Sequence, residues 1–97
     1  MRLEDYLERR QSLGSYTFTS AEAVTALNLS QAAFLSAAAR AKRKRQIASP
    51  KRGFYLILRP EDRLLGIPPP ERWIASFMDY LKLDYRISLL RAAGFHG

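Results

Sequence analysis

Two helix-start signals stand eleven residues apart in this chain, at Thr19 and Ser30. In Thr19-Ser20-Ala21-Glu22 the threonine hydroxyl can accept from the amide three residues on, while the Glu22 carboxylate reaches back to the cap's own amide. A short helix over 20–27 is expected. Leu27-Asn28-Leu29 then makes a tight turn, and Ser30 is placed to cap a helix running from Gln31 through an alanine-rich stretch to about Arg45. Two helices joined by roughly three residues have the spacing of a helix-turn-helix.

The flanking segments extend the pattern. Leu3, Tyr6, Leu7, Arg10 and Leu13 recur at three-to-four spacing with Glu4, Asp5 and Glu8 near the start, so 2–13 reads as a first helix that Gly14 ends. Tyr16-Thr17-Phe18 alternates briefly, as a short strand with Phe18 inward. After Ile47 comes a turn cluster, Ser49-Pro50-Lys51-Arg52-Gly53, and then Phe54-Tyr55-Leu56-Ile57-Leu58, an apolar run of strand formers. A hairpin directly after a helix-turn-helix is the layout of a wing. Pro60 closes the strand, and Gly66-Ile67-Pro68-Pro69-Pro70 is a stiff extended connector. Glu71 opens a fourth helix with Trp73, Ile74, Phe77, Met78 and Leu81 on one stripe. A fifth is expected from about Tyr85 to Ala93, with Ile87, Leu90 and Ala93 or Gly94 inward. The expected fold is mainly α with a small β-hairpin: a winged helix-turn-helix over 1–59, a Pro-rich connector over 60–70, and two C-terminal helices in 71–97 that pack or dock.

Ninety-seven residues, 47% of them hydrophobic, suffice for one compact core. With no cysteine the chain has neither disulfides nor thiolate metal ligands, which fits an intracellular, cytoplasmic address. Its apolar runs are short and broken by charge, unlike a membrane span or the core of a secretory signal. The formal charge of +7 favours a polyanionic partner. That excess is confined to one segment: Arg40, Lys42, Arg43, Lys44, Arg45, Lys51 and Arg52 occur with no acid among them, while the rest of the chain holds nine basic and nine acidic residues.

On a helical wheel centred on Phe34, with about 100° per residue, Ala38, Ala41 and the stem of Arg45 fall on the core side. The opposite face gathers Ala32, Ser36, Ala39 and Arg43, with Arg40 at its edge. Small residues let such a helix approach a groove closely, and arginines reach guanine edges or phosphates. The residues expected to contact DNA are Ser30, Gln31, Ser36, Arg40, Lys42, Arg43, Lys44, Arg45, Lys51 and Arg52. A basic run at the end of an alanine-rich helix also suits a solvated helix with favourable C-terminal cations, a localisation signal or a membrane-surface patch. Position favours DNA, because the cations sit at the end of the second helix of the pair and again at the hairpin tip. Duplex RNA is a further reading, since a basic helix and wing can follow an A-form backbone.

Other chemistry finds little footing. His96 is the single histidine and has no cysteine or second histidine to share a metal, so no metal and no cofactor are expected. Asp79 and Asp84 read as surface charge on an amphipathic helix, and neither a nucleophile elbow nor a phosphate loop is present. An enzyme is not expected. Trp73, Phe77 and Tyr80, with Tyr85 and Phe95, form an aromatic stripe suited to core. If the last helices do not fold back, Trp73, Phe77, Tyr80 and Leu81 become a docking face. The Pro68-Pro69-Pro70 connector restrains that return, so self-association as a homodimer is the expectation for this face.

The order of motifs resembles the AbiEi-type antitoxins of type IV toxin-antitoxin and abortive-infection systems. It runs through Phe18-Thr19-Ser20-Ala21-Glu22-Ala23, Leu29-Ser30, the arginine-rich helix end, Arg52-Gly53-Phe54-Tyr55 and Pro70-Glu71-Arg72-Trp73-Ile74. The tail from Tyr85 to Gly97, with Leu89-Leu90-Arg91-Ala92-Ala93-Gly94-Phe95-His96-Gly97, is similar to the passage from the DNA-binding part of those proteins into their antitoxin domain. The resemblance implies binding to operator repeats, repression of an antitoxin-toxin operon, and a nucleotidyltransferase-like toxin as partner. Family members continue beyond the length of this chain, which limits the implication to the DNA-binding part. Ala41 stands where the family places a larger apolar residue, and Arg86 and Arg91 stand in a helix that is more apolar there. The reading from another class is a protein-interaction module that binds a toxin or sister subunit through 71–95.

Overall fold

The structure is a computed structural model that describes residues 2–96, with the side chains of residue 84 and residues 87–96 outside the description. The expectations for Ile87, Leu90, Ala93, Gly94, Phe95 and His96 therefore fall outside it. The chain is mainly helical with a small antiparallel sheet. In order come α1 (Leu3–Ser12), β1 (Thr17–Thr19), α2 (Ser20–Leu27), α3 (Gln31–Arg43), β2 (Ile47–Lys51), β3 (Phe54–Ile57), two short 3₁₀ turns (Pro60–Asp62 and Pro70–Arg72) and α4 (Ile74–His96). The sheet order is β1-β3-β2, so β3 is central.

Both capping signals act as their side chains dictate. The Glu22 amide donates to Thr19 Oγ1 and the Thr19 amide to Glu22 Oε1, each at 3.1 Å. The Ala33 amide donates to Ser30 Oγ at 3.1 Å. The first three helices also end alike, in paired backbone bonds around a left-handed residue. At Gly14 (φ 79) the bonds are Gly14 N to Gln11 O and Ser15 N to Arg10 O. At Asn28 (φ 52) they are Asn28 N to Thr25 O and Leu29 N to Val24 O. At Arg45 (φ 58) they are Arg45 N to Lys42 O and Gln46 N to Ala41 O. The middle motif reverses the chain between α2 and α3 within three residues, leaving Ser30 free to cap.

A relay of rings joins the helices to the sheet. Tyr6 meets Phe18 edge-on at 5.6 Å, Phe18 stacks on Tyr55 at 5.1 Å, and Phe34 meets Tyr55 edge-on at 5.6 Å. Around them Leu3, Leu7, Ala23, Leu27, Ala38, Ala41, Ile47 and Ile57 complete the core. Alternation along β3 turns Tyr55 and Ile57 towards this core and Phe54 and Leu56 to the other face. All four are buried, Leu56 fully, so the sheet is covered on both sides.

The C-terminal part supplies the second cover. Phe77 and Tyr80 of α4 pack on Phe54 at ring distances of 5.3 and 5.2 Å. Trp73 lies against Phe77, and its indole N–H donates to the Pro68 carbonyl at 3.0 Å. Pro68 is itself fully buried. Arg59 grips the buried Asp62 through two side-chain bonds of 3.0 and 3.1 Å and a third from its amide at 3.1 Å. Arg59 and Arg72 also lie over the Tyr16 ring, at 5.8 and 5.3 Å, fastening the connector to the approach to β1.

Several sequence expectations change. The two C-terminal helices are one, because Lys82-Leu83-Asp84 contains no glycine or proline to break the hydrogen-bond ladder. Glu71 belongs to the second 3₁₀ turn, and α4 begins at Ile74. Ser49, Pro50 and Lys51 lie in β2, which leaves Arg52-Gly53 as the turn. Pro50 has no amide to donate, and the register slips between Ala48 and Lys51. The Ser49 hydroxyl faces the Lys51 and Phe54 carbonyls at 2.8 and 2.9 Å, repairing the irregularity. Because α3 ends at Arg43, Arg45 lies beyond the helix and is exposed; its stem is not core.

Candidate nucleic-acid interface

Helix α3 has two opposed longitudinal strips. Phe34, Ala38 and Ala41 are buried, while Ala32, Ser36, Ala39 and Arg43 are all exposed on the opposite side. Of the expected contact residues, Gln31, Arg40, Lys42, Lys44 and Arg45 are exposed as well. Ser30 is exposed, with its hydroxyl oxygen engaged as the helix cap.

The cations divide around this outward strip. Lys42 leans to the sheet side, its ammonium 5.5 Å from the Tyr55 ring centroid. Burial raises the Tyr55 phenol above its ordinary value, with nearby Tyr80 adding to the effect, so a neutral ring receives that cation. Lys44 leans the other way, 3.6 Å from Glu4 on α1. Both partners of this pair are more than half exposed, which makes it a weak, solvent-screened contact. Arg43 lies exposed in the middle, and among the described residues neither an acid nor an aromatic ring pairs with it.

Between α1 and α3 lies an open groove of about 490 Å³, with Leu29, Ala37 and Ala41 in its floor and Arg2, Arg40 and Lys44 at its rim together with the acid Glu4. Arg2 was not among the expected contact residues. It lies far from the basic run in sequence, and only the packing of α1 beside α3 brings it there.

The basic segment is not one patch. Arg40–Arg45 sit at the end of α3, whereas Lys51 and Arg52 lie at the far end of β2, whose five residues span roughly 17 Å. Lys51 is half-buried and Arg52 exposed. The tip is anchored by backbone: the Ser20 amide donates to the Gly53 carbonyl at 2.9 Å. From Arg40 to Pro60 the sequence carries no acid, so neither group is neutralised from within its own segment.

The residues expected to form a docking face lie elsewhere in the energetics of the chain. Trp73, Phe77, Tyr80 and Leu81 are half-buried, and the first three cover the sheet and connector of their own chain. The connector restrains α4 less than expected because Pro70–Arg72 turns as a 3₁₀ helix and redirects the chain. Among the described residues no group of three His, Asp or Glu side chains could hold a metal ion, and no helix is long and apolar enough to cross a membrane. No protein-family model, curated protein or solved structure matches the chain.

Proposed function

We propose that this chain binds double-stranded DNA sequence-specifically as a winged helix-turn-helix module, with α3 in the major groove and the β2–β3 hairpin against neighbouring backbone. The observation that carries the reading is the outward strip of α3. Its Ala32, Ser36 and Ala39 are small enough for close approach, and Arg43 is long enough to reach a base edge. Arg40 and Lys42 on either side suit phosphates rather than bases, as do Lys44, Arg45, Lys51 and Arg52. The resemblance to AbiEi-type antitoxins supports a finer version: repression of an antitoxin-toxin operon from operator repeats in the cytoplasm, by a DNA-binding part without catalysis. The test is selection from a random duplex pool, followed by competition of the selected sequence as DNA and as RNA. Enrichment of one sequence that duplex RNA fails to displace supports the reading. An unenriched pool, or equal displacement by RNA, removes it.

A second reading is favoured by one observation. Leu64 and Leu65 in the connector are 93% and 84% exposed, and Ile74, Met78 and Tyr85 of α4 are also exposed. A toxin or sister subunit docking there would cover apolar surface that the sheet does not. Sedimentation of the chain alone tests the sister-subunit form: a dimer dissociated by Met78→Asp supports it, and a concentration-independent monomer removes it.

A further inference from the structure

We infer that Tyr80 is the positioning residue of the hairpin tip, through which α4 sets the direction of the cationic Arg52-Gly53 turn. The phenol hydroxyl donates to the Arg52 carbonyl at 2.9 Å, joining residues 28 apart in sequence. Its ring is held by packing on Phe54, 5.2 Å between centroids, so the hydroxyl is delivered from a fixed platform. The other turn carbonyl, of Gly53, accepts from the first amide of α2 at 2.9 Å. A two-residue hairpin loop ordinarily leaves its carbonyls to water. Here one is tied to the helix pair and the other to α4, which fixes the turn relative to both.

Gly53 shows how close the fit is. Its φ of +84 is a left-handed conformation, and a Cβ there would stand 2.7 Å from the Tyr80 hydroxyl oxygen and 3.5 Å from Ser20 Oγ. Glycine answers the conformation and the contact together. With the Arg52 backbone pinned, its exposed guanidinium leaves the turn along a constrained direction, and displacement of α4 is transmitted to the tip. This assignment rests on the proposed DNA interface only for its functional consequence; the clamp exists in the free protein.

Tyr80→Phe retains the ring on Phe54 and removes the hydrogen bond alone. Backbone ¹⁵N relaxation on the free protein should show lower order at Arg52 and Gly53, with the rest of the sheet unchanged. Unchanged order at the tip overturns the inference, whatever the protein binds. Gly53→Ala should lower the melting temperature less in the Tyr80→Phe background than in the wild type, and equal losses in both backgrounds also overturn it. On duplex DNA, Tyr80→Phe should weaken affinity by about threefold at most, because the exposed bond it removes orders the tip and does not itself touch the duplex. In an Arg52→Ala background the same change should have little effect, and an undiminished loss there contradicts positioning through the tip. A loosened tip in a protein whose wild type binds no duplex leaves the clamp standing and removes the DNA reading instead.

Discussion

Arg45 holds a backbone conformation that glycine adopts without strain. Gly14, Asn28 and Arg45 occupy equivalent positions after α1, α2 and α3, and the side chain's conflict with left-handed backbone grows along that series. Arg45→Gly is expected to stabilise the fold by about 1 kcal/mol in denaturant titration while weakening duplex binding. A variant both more stable and equally tight would show that the arginine contacts nothing. Arg43 belongs to a different class, because a base contact discriminates between sequences. Arg43→Ala should lose about 1–3 kcal/mol on a preferred duplex and less on random duplex, read by competition anisotropy. Equal losses would make it a phosphate contact. Much of this scale was legible in the sequence: Thr19, Glu22 and Ser30 cap as read, since capping depends on residues within one turn. Arg45 was misread because the wheel assumed helix beyond Arg43, and no side-chain pattern marks a left-handed stop made by arginine.

At the scale of elements, α2 and α3 follow their caps closely, whereas the hairpin and α4 depend on contacts distant in sequence. The signal that α4 folds back was present in Phe54-Tyr55-Leu56-Ile57-Leu58. A strand apolar at every position needs a cover on each face. The three N-terminal helices supply one, and the segment after β3, through Phe77 and Tyr80, supplies the other. The single long helix was hidden by treating Leu83-Asp84 as a boundary without a breaker. Phe77→Ala removes the central ring from the second cover and should destabilise the fold by about 2 kcal/mol, scaled down for a half-buried phenylalanine. Thermal unfolding checks this; a change within a few tenths of a kcal/mol would mean that α4 does not hold the sheet in solution. The position of Arg2 beside Arg40 and Lys44 was not legible, because it follows from helix packing and not from any local pattern.

The whole molecule measures 49 × 30 × 24 Å, longer than it is broad, with α4 alone running about 34 Å. Its connector is fastened by Asp62, whose carboxyl the Arg59 hydrogen bonds hold below the ordinary carboxylate range. A lowered folded-state value means that this contribution is complete above the unfolded value near 3.8 and disappears as pH falls through the folded value. Asp62→Asn should therefore be less stable than the wild type at neutral pH, with the difference closing only below about pH 4. Melting curves at several pH values check this, and a gap independent of pH would assign Asp62 a packing role alone. Charge at this scale separates into an acid-free segment of seven cations and a formally neutral remainder, with the cations presented at two ends of β2. The binding constant for duplex DNA, measured across salt concentration, tests that arrangement most directly. With four to six of these cations on phosphates, log K should fall against log salt with a slope of about −4 to −5, reduced by about one in Arg52→Ala. A slope near zero, or one that charge reversal at Glu8 alters as much as neutralisation of Arg52, would contradict it.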